Sequence, residues 1–138
     1  MSRAKWLAIL WTLLILVVCW APRQTLPINE RAPSILQQIH LDKIVHAVIF
    51  AGYSYFWRRA TSPRAIGLIA ITGVMLAVLT ELGQATSLVG RDADLWDGIA
   101  DSLGVAIGLI FATTAITRSV DRNRLVREPF DAARRESA

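Results

Sequence analysis

Long uncharged runs alternate with short charged blocks along this chain, and the length of the runs is its main structural signal. Between Lys5 and Arg23 lie seventeen uncharged residues, Trp6 to Pro22. As a helix they cover about 25 Å of a hydrocarbon core roughly 30 Å thick. A second run, Ile44 to Trp57, is preceded by Asp42 and Lys43, and a third, Ala65 to Thr80, ends at Glu81. Both reach across if their helices continue through the polar ends, with Lys43 snorkelling and Trp57 at headgroup level. The fourth run starts near Trp96 and reaches Thr117, with Asp97 and Asp101 in its first turns. Ahead of the second run, Ile35 to Leu41 follows Pro33 and Ser34 and reads as an interfacial turn of helix. The pattern predicts an all-α membrane protein with four transmembrane helices in residues 1–117. A short basic tail follows at 118–138, where Pro129 is expected to interrupt any helix.

Composition supports this reading, with 54% hydrophobic and 19% charged residues, against about 25% charged in ordinary soluble domains. A soluble enzyme is therefore excluded. Arg3, Lys5 and Ala21 permit a cleaved signal peptide, but Pro22 would then be the first mature residue, so the first run reads as a retained helix. The single cysteine, Cys19, follows Leu16, Val17 and Val18, which lack the small residue a lipidation box needs. It offers no disulfide framework or Cys-rich metal site. A net charge of +4 without a basic stripe beside aromatics gives no nucleic-acid surface.

Lys and Arg set the orientation. The N-terminus carries two, the loop Arg58 to Arg64 three and the tail from Arg118 six, eleven of the fifteen on one side. That side is predicted to be cytoplasmic, with both termini inside. The opposite side holds Arg23, Arg31, Lys43 and Arg91 against seven acids. The tail reads as an extension near anionic headgroups, where each cation contributes about 1 kcal/mol of attraction, reduced by the tail's own acids.

The ionisable residues of the apolar runs gather at the outer boundary. Asp42, Lys43 and His46 open the second helix, Glu81 closes the third, and Asp97 and Asp101 open the fourth. Charges at such depth normally face a bundle interior or a wet cavity. Taken singly, Asp42, Lys43, Asp92 and Asp94 are also explained as interfacial residues in contact with water. Helical spacing argues further for the rest. Asp97 and Asp101 are one turn apart, and Gly104, Gly108 and Ala112 continue their stripe, a small-xxx-small pattern that permits close packing. Ala70, Gly73, Ala77, Glu81 and Gln84 share a face of the third helix, and Asp42 and His46 share one of the second. Three helices thus direct polar ends toward one outer pocket.

In order, Asp42-Lys43-x-x-His46, Glu81-x-x-Gln84, Gly90-Arg91 and Asp97-x-x-x-Asp101-x-x-Gly104-x-x-x-Gly108 resemble the VanZ-like family of bacterial membrane proteins, over about residues 35 to 117. The family pattern has D-K-x-x-H, E-x-x-Q, then an Arg, an Asp and an Asn four residues later, followed by glycines; here Asp101 stands where Asn is usual. The resemblance implies a protein of the bacterial cytoplasmic membrane, in a family named for a determinant of glycopeptide (teicoplanin) resistance. It names no reaction.

The expected pocket comprises Asp42, Lys43, His46, Glu81, Gln84, Arg91, Asp97 and Asp101, with Gly104 and Gly108 for helix packing. Lys43 and Arg91 suit a phosphate or pyrophosphate, Arg bidentately, which fits a lipid-linked envelope precursor among membrane lipids, and the resemblance adds a glycopeptide-type compound as a further ligand. The same cations also serve simply to neutralise the carboxylates. His46 and the acids offer nitrogen and oxygen donors for a divalent metal, which would favour a phosphohydrolase or transferase acting on a lipid phosphate. With His40 outside the span, only one histidine is in the cluster, so no metal and no cofactor is assigned. Ser102 and Thr80 lie near enough to be considered as nucleophiles but have no evident base.

The asymmetry of Lys and Arg generates a first prediction. A cysteine placed at Ser62 is shielded from an impermeant thiol reagent in intact cells, and one at Ser87 is labelled; the reverse labelling would place the pocket on the cytoplasmic side.

Overall fold

The computed structural model describes residues 1–21, 41–86 and 94–136, with side chains for 1–21, 43–86 and 94–128. Among them are four α-helices and no strand: α1 (Arg3–Trp20), α2 (Leu41–Ala60), α3 (Ile66–Gln84) and α4 (Leu95–Glu136), with a short 3-10 turn at Pro63–Ala65 leading into α3. Three segments are long and apolar enough to cross a bilayer, Arg3–Trp20, Pro63–Gln84 and Leu95–Glu128. They are the signature of a multi-pass membrane protein. The expected interfacial turn at Ile35 to Leu41, together with His40, lies outside the described residues apart from Leu41, which begins α2.

Each helix begins and ends for local reasons. The Ser2 hydroxyl caps α1 by accepting from the Lys5 amide at 3.4 Å, and the helix stops at Ala21, which is extended, as a residue before a proline prefers. Apolar side chains cover most of α1, but only Ala8, Ile15 and Cys19 are buried, one narrow stripe along the helix. Buried residues of α3 are Ile69, Gly73, Ala77, Thr80 and Gln84, spaced by three and four as one helical face requires. The opposite surface of α3, including Leu68, Ile71, Met75, Val78, Leu79 and Leu82, is exposed and apolar, as a surface turned to lipid must be.

The fourth helix of span length, α2, has 20 residues and a more polar sequence, with Lys43, His46, Arg58 and Arg59. Its position explains this polarity. It packs against α1, α3 and α4, most extensively against α4, so the other helices screen much of its surface. Phe50 and Tyr53 of α2 lie in the core with Ile15, Cys19, Ile69, Ala77 and Val105. Hydrogen bonds between helices reinforce it: the Trp11 indole donates to the Ile49 carbonyl at 2.7 Å, the Trp57 indole to the Thr12 hydroxyl at 3.0 Å, and Tyr53 pairs with Thr72 at 2.9 Å.

Three sequence expectations are corrected here. Trp57 was placed at the headgroups, but its indole turns inward to Thr12, where a donor inside the bundle is satisfied, and Arg58, expected in a loop, belongs to α2 and is buried. The tail was expected to be broken at Pro129, but α4 continues to Glu136. Proline removes one helical hydrogen bond, and the bonds on either side of it continue the helix.

Contacts also give the directions of the helices. Gly104 of α4 faces the backbone of Ala47 and Gly108 that of Ala51, so α2 and α4 run parallel. Gly73 meets Val105 while Gly98 meets Glu81, so α3 runs antiparallel to α4. The start of α2, the end of α3 and the start of α4 therefore share one end of the bundle.

A second prediction follows. A Cβ at Gly104 would strike the Ala47 carbonyl, and one at Gly108 the Ala51 carbonyl and the Ser54 hydroxyl, whereas Gly67 has open space. Gly104→Ala and Gly108→Ala each destabilise the detergent-solubilised protein by about 1–3 kcal/mol, because backbone has to move apart. Gly67→Ala leaves thermal unfolding unchanged or slightly raises its midpoint. Equal melting of all three variants would disprove the backbone contact.

Candidate binding site

Asp97 and Asp101 stand at the start of α4, on the stripe that Gly104 and Gly108 press against α2. Both are buried, Asp101 completely at 0% exposure. Across from them α2 presents Lys43 and His46 one turn apart. The Lys43 ammonium lies 2.8 Å from Asp97 Oδ1 and 2.6 Å from Asp94 Oδ2, and His46 Nδ1 lies 3.0 Å from Asp101 Oδ1. One ion pair and one histidine–carboxylate hydrogen bond thus stack along the α2–α4 seam. Lysine does not snorkel away from the bundle here; it turns to the two aspartates.

The end of α3 closes the third side. Glu81 Oε2 accepts a hydrogen bond from the Asp94 amide at 2.9 Å, which ties α3 to the first residues of α4. Asp94 caps α4, its Oδ1 accepting from the Trp96 amide at 2.9 Å and its carbonyl from the Asp97 amide at 2.9 Å. A negative cap and Asp97 in the first turn also complement the positive end of the helix dipole. Asp94 therefore takes part in the cluster, although the sequence reading left it among the interfacial acids. Its signal was available: an aspartate immediately before a helix, three residues ahead of another, is a capping pattern.

Gln84, on the same face of α3 as Glu81, is buried at 1% exposure. Donor atoms of His46, Glu81 and Asp101 lie within 4.8 Å of one another. The outer oxygens Glu81 Oε1 and Asp101 Oδ2, and Gln84 Nε2, are buried without a hydrogen-bond partner among the described residues. Of the other expected pocket residues, Arg91 and the Asp42 side chain lie outside the described residues, as do Gly90 and Asp92. Ser102 and Thr80 each donate to a carbonyl of their own helix, to Gly98 and Ala77, at 2.8 Å.

Beside this cluster a groove of about 630 Å³ runs between α3 and α4. Val74, Ala77, Val78, Leu82, Leu95, Ile99 and Leu103 give it apolar walls, and Glu81 and Asp94 give it a polar end. Comparison with models of known families, with characterised proteins and with solved structures finds no match to this chain.

The Lys43–Asp97 ion pair yields a third prediction. Lys43→Met leaves the buried Asp97 without its cation and destabilises the protein by about 3–5 kcal/mol. Adding Asp97→Asn restores much of that loss, since the remaining carboxylate, Asp94, is 41% exposed and is screened by solvent. Thermal unfolding of the two single variants and the double variant measures the coupling, and strict additivity would show that the pair does not interact.

Proposed function

We propose that this chain is a VanZ-like protein of the bacterial cytoplasmic membrane, with four spans and both termini in the cytoplasm, that binds an envelope lipid or lipid-linked precursor. The observation that carries the reading is the groove between α3 and α4: apolar along its walls, it ends at Glu81 and Asp94 beside the Lys43, His46, Asp97 and Asp101 cluster. An acyl or isoprenoid chain matches the walls, and a polar headgroup matches the end. The Lys and Arg distribution supports an outward-facing polar end, where precursor headgroups are displayed. Resistance to a glycopeptide-type compound would follow if the bound lipid is one that such a compound recognises.

A second reading, a phosphohydrolase or transferase acting on a lipid phosphate, is favoured by the convergence of His46, Glu81 and Asp101 donor atoms. Release of phosphate from a lipid phosphate by the purified protein, abolished in His46→Gln, distinguishes catalysis from binding.

The fourth prediction tests the groove. Gly98 lines it and has room for a side chain, with Glu81 Cγ 3.9 Å from where a Cβ would lie. Gly98→Phe fills the groove, keeps the melting temperature of the parent and loses the lipid that co-purifies with it, as read by native mass spectrometry. Unchanged lipid retention in a folded Gly98→Phe protein would refute the groove as the binding site.

A further inference from the structure

We infer that His46, Glu81 and Asp101 hold a divalent cation of the zinc or manganese class at the polar end of the bundle. Three helices bring one imidazole and two carboxylates together, with donor atoms within 4.8 Å of one another. Ligands about 2.1 Å from a tetrahedral ion stand roughly 3.4 Å apart, so the set closes on an ion by small side-chain movements. Glu81, in the last turn of α3 and half-buried, has the most room to make them.

Unsatisfied oxygens give an independent indication of a ligand. Among the described residues, Asp101 is fully buried with no hydrogen-bond partner for its Oδ2, and Glu81 Oε1 is likewise buried and unpartnered. Enclosing carboxylate oxygens without donors is costly, and a cation satisfies both at once. Lys43 is directed to Asp94 and Asp97. A mixed nitrogen and oxygen set suits zinc, manganese or iron(II), whereas magnesium and calcium prefer oxygen alone. A single histidine argued against a metal in the sequence; among the described residues, two carboxylates from other helices complete the donor set with His46. Three protein ligands leave a position for water or for an oxygen of a headgroup, next to the groove that Glu81 lines. The ion site stands whether or not a lipid occupies that groove.

The test uses the full-length protein in detergent, freed of any affinity tag, stripped with chelator and dialysed against zinc or manganese at micromolar concentration. Elemental analysis is expected to find about one ion per chain, and the ion to raise the melting temperature reversibly. Glu81→Gln and His46→Gln are expected to weaken uptake by at least about tenfold. Asp101→Asn is the more direct variant but removes a fully buried charge; if it does not fold, Glu81→Gln decides. No uptake by the parent protein, or equal uptake by parent and Glu81→Gln, would overturn the proposal. Lipid retention is measured separately, so loss of the ion site and loss of the lipid reading are told apart.

Discussion

The close approach of α2 to α4 is the constraint on which the rest of this structure depends. Gly104 and Gly108 have no side chain to hold the helices apart, and the backbone of Ala47 and Ala51 fills the space. Helical repeat then carries the same alignment toward the end of the bundle. One turn beyond Gly104, Asp101 meets His46, and one turn further Asp97 meets Lys43. A wider separation would lengthen both contacts together, because these side chains sit on the same seam as the glycines.

That seam also explains the polarity of α2. A helix bearing Lys43, His46, Arg58 and Arg59 is a poor lipid-facing span, since each charge exposed to hydrocarbon costs a few kcal/mol. Enclosed by three partners, α2 instead buries His46 and Arg58 and turns Lys43 to Asp94 and Asp97, while Arg59 stays exposed in its last turn. The surrounding helices meet the opposite demand and turn apolar residues such as Leu13, Val17, Ile71, Met75, Ile107 and Ile110 outward. Division of labour among helices thus replaces the single amphipathic pattern of a soluble bundle.

Charge among the described residues of the polar end is unevenly balanced. Among the described residues, Asp94, Asp97, Asp101 and Glu81 converge there with one lysine and one histidine, and two carboxylate oxygens have no donor. The cation proposed above would balance these carboxylates. Glu81 belongs to both the cluster and the groove, so any ligand in the groove is electrostatically coupled to the cluster.

Run lengths and helical period in the sequence already determine the apolar segments, the small-residue stripe of α4 and the shared face of Gly73, Ala77 and Gln84, because each is a property of one helix and its solvent. Even the common depth of His46, Glu81, Asp97 and Asp101 can be read from their distances to the ends of the runs. What only the tertiary structure decided is which faces meet. The recruitment of Asp94, the inward turn of the Trp57 indole and the pairing of Lys43 with two aspartates depend on contacts between residues about fifty positions apart. Continuation of α4 through Pro129 was likewise not legible from a proline rule that applies to one residue. Periodicity fixes where a side chain lies around its own axis; the partner it finds is set by how closely whole helices can pack, and here by two glycines.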